Sequence, residues 1–401
     1  MTRSAIFRWL VLGAVVLLGA APTPRYSHYL FVWAMEVRHP DASTSAELGM
    51  GKDFLAVFDV GPNASPFGKL VAMLPVGGGA KAAHHTNYAL PPNDVLFAND
   101  WMADRSYMFD LHDPSSPRLI SQVGDAGSYM YPHSFVYLSS GNTLATFQYA
   151  GGFNHAPGGI VELDGQGRVV KKSSAADATI DANIRPYSLA VVEKLDRVVT
   201  SSADMMGAQT SHVVQVWRLS DLKLLKTITL PKPPDWFDDE AADSSEPRVL
   251  RDGETVVVPT FNCGLYLVRN LAGADPILQH VYDFGYRMCQ VPVVAGDYLV
   301  QSMQSGHAIV SLDMHDPVHP HEVSRILLNP DEYPHWLALE PGGDRLVITG
   351  FGGLQTHVLF ASIDRETGQL RLDPQSIDFT RTWPDGWDGS AIPHAAVFSN
   401  D

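Results

Sequence analysis

One phrase recurs seven times along this 401-residue chain, and such repetition constrains the fold more tightly than any local signal. The phrase is a Pro or small residue, a polar residue, an alternating strand, a Gly or Asp turn, then a second strand. It reads AHHTNYALPPNDVLFAND from Ala83, YPHSFVYLSSGNTLATF from Tyr131, RPYSLAVVEKLDRVVTSS from Arg185 and EPRVLRDGETVVVPTF from Glu246. VPVVAGDYLVQSM from Val291, YPHWLALEPGGDRLVITG from Tyr333 and IPHAAVFSN from Ile392 complete the series. With His85, His133, Tyr187, Arg248, Val293, His335 and His394 taken as equivalent, successive copies lie 42 to 61 residues apart.

Between the copies lies a second hairpin, as in SYMFDLHDPSSPRLISQV from Ser106, HVVQVWRLSDLKLLKTITL from His212 and HAIVSLDMHDPVHPHEVSRIL from His307. Each alternates apolar and polar residues, turns through Asp, Pro or Gly, and resumes as a strand. Four strands per unit at this spacing predict an all-β, seven-bladed β-propeller. The seventh copy reaches the end of the sequence after its first strand. Its missing strands are expected in HYLFVWAMEV from His28 and DFLAVFDV from Asp53, so N-terminal strands complete the C-terminal blade and leave no open sheet edge. A single propeller domain is expected over residues 25–401. The acidic, Pro-rich insertion at 231–247 widens one spacing and is expected to cap one face.

Residues 1–21 have the form of a signal peptide. Arg3 and Arg8 precede an apolar run from Trp9 to Leu18, which ends in Gly19, Ala20 and Ala21. The run is too short to span a bilayer, and no later apolar run is long enough, so a periplasmic or secreted protein with no membrane span after signal removal is expected, the alternative being an uncleaved N-terminal anchor. The formal charge of −16, from 28 basic and 44 acidic residues, argues against a nucleic-acid partner. Two cysteines, Cys263 and Cys289, cannot build a disulfide scaffold. They are expected to be buried or bridged, and Cys289, just before an inner strand, is also a candidate beside the pocket.

In a propeller the first strand of each blade lines the central channel, so the starts of these strands converge. Here they carry His84 and His85, His133, His335 and His394, out of sixteen histidines in all. Converging neutral imidazoles are expected to ligate a metal, and the donor type suits copper first and zinc second over the oxygen-seeking Mg and Ca. Glu246 and Arg248 fall on the same face, and Tyr187 and Trp336 are expected in the pocket. No residue is assigned a catalytic role.

The paired histidines in AHHTNY, the YPHSF phrase of His133 and the IPHAAVF phrase of His394 resemble the selenium-binding protein / methanethiol oxidase family. The resemblance implies copper ligation by His84, His85, His133 and His394, with His335 of YPHWLAL as a further ligand. It also implies export and oxidation of a small thiol such as methanethiol. The chain departs from that family in lacking a Cys-x-x-Cys segment after the paired histidines and a Gly-Gly-Asp-Cys stretch at its end. Two alternatives stand beside this reading. One is a non-catalytic scaffold that binds a protein partner. The other is a lactonase-like hydrolase with a carboxylate ligand such as Glu246, since lactonase propellers share the PHW and GG-x-RL phrase.

Overall fold

Six repeats each fold as an antiparallel sheet of four consecutive strands, and a seventh sheet, of five strands drawn from both ends of the sequence, completes the ring. The computed structural model describes residues 27–37, 50–76, 82–180, 183–205, 211–231, 243–351 and 355–400. One blade runs Ala83–Thr86, Val95–Asp100, Arg105–Asp110 and Arg118–Val123 from channel to rim. The inner strands of the others are Tyr129–Tyr137, Pro186–Val192, Arg248–Val249, Val293–Ala295, Pro334–Leu339 and Asp388–Phe398. Residues 1–21, expected to be a signal peptide, and most of the 231–247 insertion lie outside the described residues. Among the described residues the only helical turns are Glu193–Leu195 and Gln304–Gly306, and no helix is long and apolar enough to cross a membrane.

The ring closes as the sequence predicts. Tyr29–Val37 pairs antiparallel with Asp388–Phe398, with Leu30 opposite Phe398 and Val32 opposite Ala396. Met50–Asp59 and Lys69–Pro75 complete that blade, and Thr380–Thr382 adds a short fifth strand at its other edge. The Ser27 hydroxyl donates to the Ser399 carbonyl at 2.8 Å, and Arg345 donates to the Val60 and Ser27 carbonyls at 2.6 and 3.0 Å. The two ends of the chain thereby brace each other.

Burial explains the two kinds of strand. Strands in the middle of a blade are covered on both faces by neighbouring blades, so Leu30–Met35 and Leu96–Asp100 are buried continuously. The rim strand Arg118–Val123 alternates exposed and half-covered residues, which is the period-2 pattern visible in the sequence. Between blades the apolar faces interlock: Phe31, Trp33, Leu55 and Val57 meet Leu96, Ala98, Tyr107 and Phe109. The Trp33 ring sits 5.5 Å from that of Tyr107 and 5.6 Å from that of Phe109. Each such side chain contributes roughly 1.5–3 kcal/mol on burial.

The cysteines are bridged. Cys263, at the turn into the strand Gly264–Arg269, forms a disulfide with Cys289 ahead of the next blade, with Cα atoms 4.9 Å apart.

Candidate metal centre

The inner strands do not run evenly past the channel. In five of them the register breaks at the residue aligned by the repeat. Ala83 pairs with Asp100 and Thr86 with Ala98, so His84 and His85 face a single residue, Asn99. Likewise His133 and Ser134 face Thr146, and Tyr187 and Ser188 face Ser201. His335 and His394 are each an extra residue between adjacent partners. These are β-bulges, which turn side chains out of the ladder. Pro132, Pro186, Pro334 and Pro393 each precede one, since proline has no N–H to give the ladder.

Polar side chains opposite the bulges satisfy the freed backbone groups. The His85 N–H donates to Asn99 Oδ1 at 2.6 Å, the Ser134 N–H to Thr146 Oγ1 at 3.1 Å and the Ser188 N–H to Ser201 Oγ at 3.0 Å. From neighbouring blades, the Thr349 and Ser302 hydroxyls donate to the His394 and His335 carbonyls at 2.5 and 2.9 Å.

Five imidazoles converge as a result. His84 stacks on His85 with centroids 3.9 Å apart, and the His394 ring stands edge-on to His84 at 4.5 Å and to His335 at 4.6 Å. His84, His85, His335 and His394 each bring a ring nitrogen within 4.8 Å of the others, a group that can hold a metal ion. His85 Nε2 and His335 Nε2 are 3.1 Å apart. The far side of the His394 ring is fixed, since its Nδ1 donates to the Ala83 carbonyl at 3.0 Å and its Nε2 is left without a partner. Such outer contacts set the tautomer and aim of a metal-binding histidine.

Burial keeps these rings neutral. It lowers His133 and His335 to about 3, with a backbone contact at Tyr187 partly offsetting it for His133. Burial and the neighbouring imidazoles hold His84, His85 and His394 well below the usual histidine range. Neutral rings keep a lone pair available for a metal.

His133 lies on the other side of His85, in a group with Glu246. Glu246 Oε1 is 3.4 Å from His85 Nδ1, and its Oε2 accepts from Tyr88 at 2.5 Å, Ser188 at 2.6 Å and Arg248 at 3.4 Å. The Arg248 guanidinium covers the Tyr88 ring at 3.5 Å, and that ring stacks on Trp336. Burial and the Glu246 charge push the Tyr88 and Tyr187 hydroxyls above their ordinary range, so both stay protonated.

A cavity of about 320 Å³ opens over the histidines and is lined by His84, His335 and Tyr187. Glu246, Arg248 and Trp336, expected in the pocket, are absent from its wall and pack beneath the histidines instead. Cys289 is also absent: it is fully buried in the disulfide, and its neighbours Met288 and Gln290 reach the cavity. Sequence reasoning missed much of the wall, namely Trp101, Asp204, Phe261, Gln304 and Phe351. A signal for them exists. Each falls one or two residues past the second strand of a blade, and antiparallel pairing sets that end beside the start of the first. Tyr88, also missed, lies three residues after His85.

No protein-family profile matches this sequence. A segment of 113 residues is 31% identical to methanethiol oxidase of Hyphomicrobium sp., covering 27% of this chain and 24% of that protein, about a quarter of its length. Among solved structures, a hypothetical selenium-binding protein from Sulfolobus tokodaii superposes over 94% of each chain with TM-score 0.69 and 14% identity. The periplasmic gluconolactonase of Pseudomonas aeruginosa covers 87% of this chain and 96% of its own, with TM-score 0.58 and 13% identity. At these identities the solved structures bear on the fold alone. The resemblance to methanethiol oxidase thus recurs in a segment of one relative, and the solved structures agree with the propeller fold.

Proposed function

We propose that this protein is an exported copper-binding propeller that oxidises a small thiol in the cavity above His84 and His335. The observation that carries the reading is the group of four buried, neutral imidazoles with ring nitrogens within 4.8 Å of one another. Nitrogen donors of this kind bind Cu²⁺ ahead of Zn²⁺ at equal availability. His84, His85, His335 and His394 would hold the ion, and bound copper would supply a soft acceptor for sulfur and one-electron redox capacity. The chain's own part is to aim the rings from bulges, to keep them unprotonated, and to give a small substrate an enclosure of mixed aromatic, methionine and polar side chains. The methanethiol oxidase relative supports the choice of a thiol. The leader-like N-terminus and the Cys263–Cys289 disulfide support an oxidising, extracytoplasmic site.

Elemental analysis of the protein purified from copper- and zinc-supplemented periplasm tests this, followed by oxygen uptake with methanethiol. Copper that is lost in His84→Ala and His394→Ala but kept in His321→Ala is expected, since His321 is exposed on a rim strand. Full copper and activity in His394→Ala would reject the assignment. A second reading, a metal-dependent hydrolase, draws on the Glu246 carboxylate beside His85 and His133, and stoichiometric zinc or calcium would favour it. A folded protein without metal would turn attention to a protein-binding scaffold.

A further inference from the structure

We propose that the centre has a second metal position, built by His85, His133 and Glu246 and joined to the first through the ring of His85. The inference rests on the metal-binding reading above and adds to it a site of different donor chemistry. Its three residues each bring a donor atom within 4.8 Å of the others, and they are 0%, 0% and 1% exposed.

The strongest support is what these residues leave unbonded. Glu246 spends Oε2 on Tyr88, Ser188 and Arg248, while Oε1 has no partner. His133 meets Ser134 Oγ through Nδ1 at 2.9 Å, while Nε2 has none. His85 meets His335 through Nε2, while Nδ1 has none. Three residues from three blades thus bring donor atoms together while each keeps one buried polar atom unbonded. Buried polar groups are seldom left so unless something else completes them. Two imidazoles and one carboxylate form a donor set used for divalent first-row ions, and the oxygen gives this position a harder character than the all-nitrogen group beside it.

The rival view is that Glu246 only orients His85 by accepting its N–H, as carboxylates behind metal-binding histidines often do. His85 Nδ1 and Glu246 Oε1, 3.4 Å apart, do not form a hydrogen bond with each other, and this view leaves His133 Nε2 unexplained. His85 can serve both positions because its two ring nitrogens face opposite groups. Ions on both nitrogens require the ring N–H proton to leave for solvent. The resulting imidazolate and the Glu246 carboxylate offset two of the added positive charges.

The test is a copper count on the full chain, stripped with chelator, loaded with Cu²⁺ alone and desalted. Wild type is expected to retain two ions, and Glu246→Gln and His133→Ala one each. The electron-spin integral of wild type should fall well short of its copper content, because ions on one imidazole ring couple magnetically. In Glu246→Gln the integral should match the copper. One ion in both wild type and Glu246→Gln overturns the second position and leaves the proposed function intact. Two ions that survive Glu246→Gln, or two whose spins integrate in full, also overturn it. No retained ion overturns both readings.

Discussion

Removing one channel imidazole should change how stability depends on pH, and His335 is the ring to remove. It is 3% exposed, and burial holds it near 3 against about 6.5 in an unfolded chain. Between those values the unfolded chain binds a proton at this position and the folded chain does not. Stability is therefore lost as pH falls from about 6.5 toward about 3, at ~1.4 kcal/mol per pH unit for this ring. Working the two states through from pH 7 to pH 5 gives a loss of about 2 kcal/mol that His335→Ala escapes. The assay is urea unfolding of chelator-treated wild type and His335→Ala at both pH values. The variant should be the less stable at pH 7, through lost packing. Its deficit should shrink by about 2 kcal/mol at pH 5. Comparing the two proteins cancels titrating groups that His335 does not touch, including Asp243, which burial raises to about 7 and which acts in the opposite direction. A deficit that is the same at both pH values, within ~0.5 kcal/mol, would refute the claim that this ring is held neutral by burial.

Three further outcomes are expected. Reducing the Cys263–Cys289 bridge, which closes a loop over a sequence separation of 26, should cost about 3.5 kcal/mol by loop entropy, read from urea midpoints with and without reductant. Trp336→Ala removes a fully buried ring that donates to the Ala396 carbonyl at 2.8 Å and packs 5.1 Å from His85. It should lose about 3–5 kcal/mol and weaken metal retention, checked by thermal melts and elemental analysis. Asn99→Ala should cost about 1–3 kcal/mol and reduce metal affinity roughly 10–100-fold, measured by competition with a chelator. Asn99 accepts from the His85 N–H and donates to the Pro132 carbonyl at 2.8 Å, and so ties two histidine-bearing bulges together.

Much of the ring is legible in the chain because a propeller blade is a local object. Its four strands are consecutive, so alternation and turn residues suffice to draw it, and the truncated last copy points directly to the N-terminal strands that complete it. The convergence of His84, His85, His133, His335 and His394 is legible for the same reason, because equal positions in a closed repeat meet at one axis. What lies within a few ångströms of that axis depends on contacts between blades, and no periodicity carries those. The bulges are an example: proline before histidine hints at them, but the partners Asn99, Thr146 and Ser201 sit on the next strand. Glu246 is another. Its place in the repeat suggests the channel face, yet three hydrogen bonds from Tyr88, Ser188 and Arg248 turn it beneath the histidines, away from the cavity. Cys263 and Cys289 read equally well as buried thiols or a bridge until the fold brings their Cα atoms to 4.9 Å. The sequence by itself determined the number of blades, the order of strands and which side chains reach the axis, since these follow from repetition. Only the tertiary structure decided how the five imidazoles divide around His85 and which residues wall the cavity, because those are set by packing between blades far apart in the chain.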